Sequence, residues 1–325
     1  MQVGRLTYRE AALDDAELAS DLMSAAYPAM THDPVMTRFR WENLRQGFEA
    51  GRFVAERDGW PVAFLAWLHG PWEKLPDRHC EVEVWLDRAH LERAMLEEMW
   101  AWIGERAVEQ GSLVLLAYCA EDEPEMLAAL GALGYRTERT QKVWELDLSK
   151  HGARLVEEAE AARDTMDRVD IQLTTVADWN HHDKFHKLHH LNERTIQDVP
   201  HSLAIVPEVF EDFMKRFKSP DRRLDRWWIA VDGDRAVAMS YLKFPPVRGT
   251  IWTGYTCTDR DYRGRGIARA VKLQSLAQAA ELGVNVVQTD NDSENAPMLH
   301  INERLGYVRR PGWVEHHKRV QSKGA

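Results

Sequence analysis

The segment Arg263-Gly264-Arg265-Gly266 combines residue types and spacing that point directly to chemistry. It follows an uncharged, β-prone run over 250–258 and precedes a long stretch of helix-forming residues. The first N–H groups of a helix have no partners within the helix, and the helix dipole adds positive potential there, so main chain alone can bind a phosphate. The glycines leave room for an anion, and the arginines surround it with positive charge. The segment therefore predicts a diphosphate-binding turn between a strand and a helix.

The positions of the glycines exclude two other phosphate-binding loops. A dinucleotide fingerprint G-x-G-x-x-G would need a third glycine where the chain has Arg269, and no Gly-Lys-Ser/Thr follows for a Walker loop. The run from Arg263 to Ala268 instead reads R-x-x-G-x-A, and it resembles the coenzyme A pyrophosphate loop of the GCN5-related N-acetyltransferases (GNATs). Taken alone, the hexapeptide also fits an ordinary Arg/Gly-rich surface turn.

A second signature lies downstream, after a buried strand predicted over 284–289. Asn295 begins a segment in which Met298, Ile301 and Leu305 recur at helical spacing, and Gly306 is placed to end the helix in the left-handed conformation. This arrangement resembles the second GNAT signature. Two signatures in the right order, separated by a helix and a strand, are far more specific than either one.

The resemblance implies a reaction and a cofactor. An amine would attack the thioester of acetyl-CoA directly in a ternary complex, and holding the reactants together would supply most of the rate enhancement. Main-chain groups of Cys257 and Thr258 would pair with the pantetheine arm, Asn295 would contact it, and Asn291 is a lesser candidate. The pyrophosphate would be held by Arg263, Gly264, Arg265, Gly266, Ile267 and Ala268.

The proton-transfer groups are less well defined by the resemblance. Many GNATs have a tyrosine as the proposed general acid seven residues after the position of Asn295, and here that residue is Asn302, which cannot supply a proton. Tyr255 or water would substitute. Glu193 is the first candidate for the general base, because it lies on the helix that borders the acceptor site in this fold. Three further residues are alternatives to it, namely Asp198, His189 and Asp290.

A histidine-rich helix invites a metal interpretation. His182, His186 and His190 recur every fourth residue on one helical face, a spacing that can bind zinc. No other ligand motif is near and GNAT chemistry needs no metal, so we expect a pocket wall or helix surface. Cys257 could act as a nucleophile, but no Cys-His pairing is visible, and a main-chain role is expected.

Composition narrows the classes of protein. A chain of 325 residues most naturally holds two domains, and the formal net charge of −10 argues against nucleic-acid or anionic-membrane partners. Three scattered cysteines fit neither a disulfide framework nor a CxxC metal site. No apolar signal region or run of about 18 apolar residues is present, so a cytoplasmic location is expected.

The order of elements in the second half repeats that of the first. Met126 aligns with Met298 at an offset of 172 residues, and the hairpin beginning at Phe53 aligns with that beginning at Trp228 at an offset of 175. Two nearly equal offsets indicate a duplicated domain. The first copy has no glycine loop, and Glu123 stands where the second has Asn295. It therefore resembles a GNAT domain that has lost coenzyme A binding.

The expected fold is α/β, with two GNAT domains in tandem, each a mixed, mostly antiparallel sheet flanked by helices. We assign a degenerate domain to 1–150, a helical connector to 151–169 and an acetyl-CoA-binding domain to 170–325. The expected function is N-acetylation of a primary amine of a small molecule. Mycothiol synthases share such a two-copy arrangement, although markers for their substrate are missing here. A non-catalytic acyl-CoA-binding scaffold and transfer to a protein or antibiotic amine remain alternatives, as do a monomer and a homodimer.

Overall fold

The computed structural model describes residues 5–320. The first and last few residues of the two predicted domains, 1–4 and 321–325, lie outside this range. The strands are β1 Leu6–Glu10, β2 Glu49–Arg57, β3 Trp60–His69, β4 His79–Leu86, β5 Val114–Ala120, β6 Arg136–Asp147, β7 Ile171–Thr175, β8 Trp227–Asp232, β9 Arg235–Lys243, β10 Ile251–Thr258, β11 Val286–Asp292 and β12 Val308–Arg319. The α-helices are α1 Ala16–Ala26, α2 Pro34–Glu42, α3 Arg93–Glu109, α4 Pro124–Ala132, α5 Leu148–Asp167, α6 Lys184–Ile196, α7 Phe210–Lys218, α8 Ile267–Glu281 and α9 Ala296–Leu305.

The two predicted hairpins form at equivalent places in the two halves. β2 pairs with β3 and β8 pairs with β9, both antiparallel. Asp58 and Gly59, with φ of 54° and 82°, make the first turn, which is the left-handed geometry that suits the right-handed twist of two adjoining strands. The repeat seen in the sequence therefore corresponds to a repeated order of strands and helices, β1–β6 in the N-terminal half and β7–β12 in the C-terminal half.

The strands of both halves join in one twelve-stranded sheet. Its order is β1-β2-β3-β4-β5-β12-β6-β11-β10-β9-β8-β7. β12, the last strand of the chain, lies between β5 and β6 of the N-terminal half, and β6 pairs on its other side with β11. The two halves thus exchange their final strands. The domain bounds predicted from the sequence place β6 and β12 in separate domains, because the pairing of these strands depends on contacts far apart in the chain.

Each half contains a parallel strand pair that opens into a V. β10 and β11 pair only at Ile251↔Val287 and Trp252↔Gln288, and β4 and β5 pair only over His79–Glu81. Beyond those residues the strands diverge, which leaves main-chain groups of β10 without a neighbour on that side. The register of β10 against β9 also shifts between Thr253 and Tyr255. This bulge changes the direction of the side chains that lie near the opening.

Helices cover both faces of the sheet. We call the face covered by α1, α2, α6 and α7 the front, and the face covered by α3, α4, α5, α8 and α9 the back. The helices of the two halves meet on the front, where the Gln46 N–H donates to the Asp212 carboxylate at 2.9 Å. On the back, α5 buries Leu155 and Ala159 against α8, so the predicted connector is a packed helix with one charged side. No helix within residues 5–320 is long and apolar enough to cross a membrane.

Candidate active site

The predicted phosphate turn links β10 to α8. Gly264 and Gly266 have φ of 75° and 77°, in the left-handed region that favours glycine, and Gly266 is the N-cap of α8. A Cβ built on either glycine would meet no atom within 4 Å, so the turn faces open space. Among the described residues, the N–H groups of Gly264, Gly266 and Ile267 have no protein acceptor. The backbone therefore presents free donors at a helix N-terminus, which fits an anion.

The arginines of the turn are held by internal partners. Arg263 and Arg260 both form ion pairs with Asp198, which lies just after α6. Hydrogen bonds from Arg260 and Arg263 lower the pKa of Asp198, opposed by partial burial. Asp198 is therefore a poor general base. Its carboxylate pairs with the arginines as the negative charge of a bound anion would.

A cleft of about 350 Å³ lies in the V between β10 and β11. Tyr255, Asn291 and Asn295 line it, so the structure brings these predicted residues together. Residues 199–205 border the cleft, and Met298 of α9 contributes an apolar side chain. Cys257 and Thr258 are buried in β10 farther along the diverging strand.

Burial constrains the two reactive side chains of β10. It raises the pKa of the Cys257 thiol to about 12, so the thiol stays protonated and does not suit a nucleophile. The Tyr255 hydroxyl donates to Thr195 Oγ1 at 3.2 Å, and burial also raises its pKa. Tyr255 therefore keeps its proton at neutral pH and faces the cleft.

Asn302 is fully buried and belongs to a polar group that sequence analysis did not find. Lys272 of α8, also fully buried, donates from Nζ to Asn302 Oδ1 at 2.7 Å, and Asn302 Nδ2 donates to Asn291 Oδ1 at 2.6 Å. Lys272 lines the cleft, and burial lowers its pKa to about 7, opposed by the charge of Asp290. The available signal was a lysine inside the apolar run Ala270-Val271-Lys272-Leu273, in the helix predicted to follow the glycine turn.

The candidate bases occupy different environments. Glu193 lies on the surface of α6 with its side chain 49% exposed, 3.7 Å from His189 Nδ1, and it lines neither cavity described here. His189 donates from Nε2 to the Glu208 carbonyl at 2.9 Å and is thereby occupied. Asp290 of β11 instead projects into open space inside the molecule, where desolvation raises its pKa despite nearby Lys243. The geometry favours Asp290 over Glu193 as the base.

A larger cavity of about 570 Å³ lies on the front of the sheet, and we call it the front chamber. Its floor includes Glu81 and Glu83 of β4 and Trp252 of β10, and residues 26–36 cover it. Four residues line both cavities, namely Tyr118, Gln141, Thr253 and Asp290. The cleft and the chamber therefore meet at the V of the C-terminal half.

The corresponding turn of the N-terminal half is built differently. A 3-10 turn at Arg88–His90 matches that at Arg260–Tyr262, but only residues 91–92 separate it from α3, whereas residues 263–266 separate the other turn from α8. Arg88 forms an ion pair with Glu123 across the mouth of this V. The turn is shorter, has no glycine and is closed by an internal salt bridge, which disfavours a pyrophosphate.

The predicted histidine face does not form. α6 begins at Lys184, so His182 lies before the helix and stacks on His181, while His186 of α6 stacks on Phe210 with ring centroids 3.8 Å apart. Within residues 5–320, no group of three or more His, Cys, Asp or Glu side chains is placed to hold a metal ion.

The fold is that of a tandem GNAT protein. Over 98% of this chain and 100% of the other, the structure matches a tandem GNAT protein from the clavulanic acid biosynthesis pathway, with a TM-score of 0.75 and 18% identity. A GCN5-related N-acetyltransferase from Sphaerobacter thermophilus matches over 97% of this chain and 95% of its own, with a TM-score of 0.66 and 18% identity. The predicted tandem fold is confirmed.

The sequence of the C-terminal half is similar to a known family. Residues 185–307 match the model of the acetyltransferase (GNAT) family. The N-alpha-acetyltransferase 30 of Schizosaccharomyces pombe is 25% identical over 124 residues, which are 34% of this chain and 83% of that relative.

Proposed function

We propose that the protein transfers an acetyl group from acetyl-CoA to a primary amine of a small molecule, at the C-terminal V. The observation that carries this proposal is a glycine turn with free N–H groups, next to a cleft that meets a second, larger cavity at Asp290. Residues 26–36 cover that cavity, which favours a small acceptor over a protein chain. The domain assignment of 1–150, 151–169 and 170–325, the cytoplasmic location and a monomeric or homodimeric state also remain proposals.

The residues present fit acetyl-CoA as the donor. When bound, acetyl-CoA supplies an activated thioester. Residues 263–268 would hold its pyrophosphate with main-chain N–H groups, since the left-handed glycines leave the anion space. Cys257 and Thr258 would offer unpaired main-chain groups, and Asn291 and Asn295 line the cleft beside them.

Two ionisable residues would carry out the proton transfers, one as the base and the other as the acid. Asp290 would take a proton from the substrate ammonium and pass it to solvent. The resulting amine would form the C–N bond at the thioester carbon and give its second proton to the Asp290 carboxylate while the C–S bond breaks. Lys272 would return a proton to the departing sulfur, the role that the tyrosine has in related enzymes and that Asn302 cannot perform. Asn302 would then position Lys272 through their hydrogen bond of 2.7 Å.

We expect Gly266→Glu to abolish acetyl-CoA binding. The substitution places a carboxylate where the pyrophosphate would lie and forces a side chain into a left-handed conformation. Calorimetry should show one site per chain in the natural protein and none in the variant. Gly283→Glu is the matched control, because Gly283 also has a φ of 77° and open space around it but lies at the other end of α8.

The calorimetric result separates the alternatives. Equal loss in both glycine variants would mean that backbone strain alone is responsible and would contradict the assigned loop. Two sites per chain would show that the N-terminal half also binds the cofactor. Tight binding without thiol release for any of a panel of amines would favour the non-catalytic scaffold.

We expect Lys272→Met to lower kcat by about 10²-fold and to remove the alkaline limb of the pH profile. Because the pKa of Lys272 is about 7, its acidic form is lost as the pH rises through that value, and activity should fall there in the natural protein. Asp290 must be ionised, so activity should also fall as the pH drops through its raised pKa. Thiol release measured from pH 5 to 9, roughly two units either side of neutrality, tests both limbs.

The same substitution should increase stability. A buried lysine has a lower pKa in the folded than in the unfolded protein, so its cost is full below pH 7 and declines as the pH rises toward 10.5. We expect a gain that is largest at low pH and that is reduced by about 1–3 kcal/mol, because the buried Asn302 Oδ1 loses its donor. Lys272→Gln, which retains a donor but does not titrate, should also lack the alkaline limb. Persistence of that limb in both variants would contradict the role of Lys272.

A further inference from the structure

The front chamber carries more negative charge than the proposed chemistry uses. Glu81 and Glu83 alternate with buried apolar residues on β4, so their side chains share the front face of the sheet. Glu83 accepts a hydrogen bond from Trp85 Nε1 at 2.9 Å, and among the described residues the Glu81 carboxylate has no hydrogen-bond or ion-pair partner. The charge of Arg40 favours the ionised form of Glu83, but a carboxylate enclosed without an ion-pair partner, such as Glu81, is costly unless a ligand supplies a cation.

Aromatic side chains surround these carboxylates. Trp85, Trp252, Trp313 and Tyr118 line the chamber, and ring faces attract organic cations. Three Arg or Lys residues also line it. Arg88 is paired with Glu123, and within residues 5–320 neither Arg40 nor Lys243 forms an ion pair with Glu81. The lining suits a ligand with an apolar body and more than one positive charge.

The order of strands separates the two acidic ends of the chamber. Glu81 and Glu83 lie on β4 and Asp290 lies on β11, with β5, β12 and β6 between them. Four spacings between neighbouring strands amount to about 19–20 Å along the sheet. One cavity nevertheless reaches all three carboxylates.

We propose that the front chamber binds an elongated organic dication, one amine of which is acetylated beside Asp290 while the second is held by Glu81 and Glu83. This inference rests on the proposed function and names its acceptor class as long diamines. It also gives the N-terminal half a role, since that half contributes the acceptor anchor through β4 although its own turn disfavours a pyrophosphate.

Proton release provides a signature of the anchor. Burial, together with the charges of Glu83 and Glu315, raises the pKa of Glu81, so the Glu81 and Glu83 pair shares a proton near neutral pH. A cation placed against it would displace that proton. Binding of a diamine should therefore release up to about one proton near pH 7.

The test is calorimetry with linear α,ω-diaminoalkanes of about four to twelve carbons, each beside the monoamine of equal length, a range that brackets the expected span. Titrations in buffers of different ionisation enthalpy measure the proton release. We expect long diamines to bind at least about 10-fold more tightly than their monoamines. Glu81→Gln/Glu83→Gln should remove both this preference and the proton release, and should raise KM for diamines without lowering kcat.

The controls distinguish this inference from the proposed function. Glu157→Gln/Glu160→Gln, on the exposed side of α5, should leave diamine binding unchanged. Equal affinity for diamines and monoamines, or an unchanged preference in the Glu81/Glu83 variant, would overturn the dication site even if acetyl transfer occurs. Diamine binding with proton release but without acetyl-CoA binding would overturn the proposed function and support the site.

Discussion

Asp290→Asn should reduce kcat for amine acetylation by about 10²–10⁴-fold while leaving acetyl-CoA affinity nearly unchanged. Asp290 faces the junction of the cleft and the front chamber, and enclosure raises the pKa of its carboxyl toward that of a useful base. Asparagine has the same shape but cannot accept a proton. The rate of thiol release at saturating amine, measured beside calorimetry of acetyl-CoA, separates the loss of chemistry from the loss of binding.

A direct comparison with Glu193→Gln decides between the two candidate bases. Glu193 was favoured by its helix, yet its half-exposed side chain lines neither cavity. Asp164→Asn, on the exposed surface of α5, is the matched control for a carboxylate removed far from the cavities. A large loss in Glu193→Gln with little change in Asp290→Asn would show that the acceptor amine lies at α6 and that the assigned junction is wrong.

Separating the chain at residue 150 should prevent both fragments from folding alone, which is the largest structural effect that we expect. Fragment 1–150 would lack β12, which lies between β5 and β6, and fragment 151–325 would lack β6 beside β11. Each would expose unpaired strand edges and apolar core, which promotes aggregation. Size-exclusion chromatography and far-ultraviolet circular dichroism should show aggregated or unfolded fragments, and a soluble 1:1 complex when the two are coexpressed.

A cut made after folding provides the control. A protease site placed at the exposed Val169, between α5 and β7, should yield halves that remain associated and melt in one transition. If fragment 1–150 were instead a soluble monomer with cooperative unfolding, the exchanged strands would contribute little to its stability. The predicted domain boundaries would then describe independent units.

The local chemistry of the cofactor turn was readable from the sequence. The spacing of Gly264 and Gly266 predicts a turn ahead of a helix, and both glycines adopt the left-handed backbone that only glycine accepts readily. Asn295 and Gly306 likewise cap α9 at its two ends. These features depend on neighbouring residues, so a single sequence suffices to find them. The duplication was also visible, since the two nearly equal offsets between the halves can be found without knowing which strands pair.

The catalytic interior was not readable in the same way. Lys272 and Asn302 are thirty positions apart and meet only because α8 and α9 pack on the same face. Glu81 and Glu83 alternate with apolar residues, which is the pattern of a strand with one solvated face, whereas α1, α2 and loops of the C-terminal half enclose them in the front chamber. Their charge states follow from that enclosure, since desolvation is a property of the surroundings and not of the residue.

The sequence by itself determined the GNAT fold of the C-terminal half, its tandem repeat and the turn that suits a pyrophosphate, because capping and glycine geometry are encoded within a few residues. Only the tertiary structure decided that β6 and β12 change partners, that the two halves share one sheet and that Asp290 lies between two cavities. Strand pairing is selected among many possible registers by burial of distant residues, and one sequence does not show which partner a strand will choose.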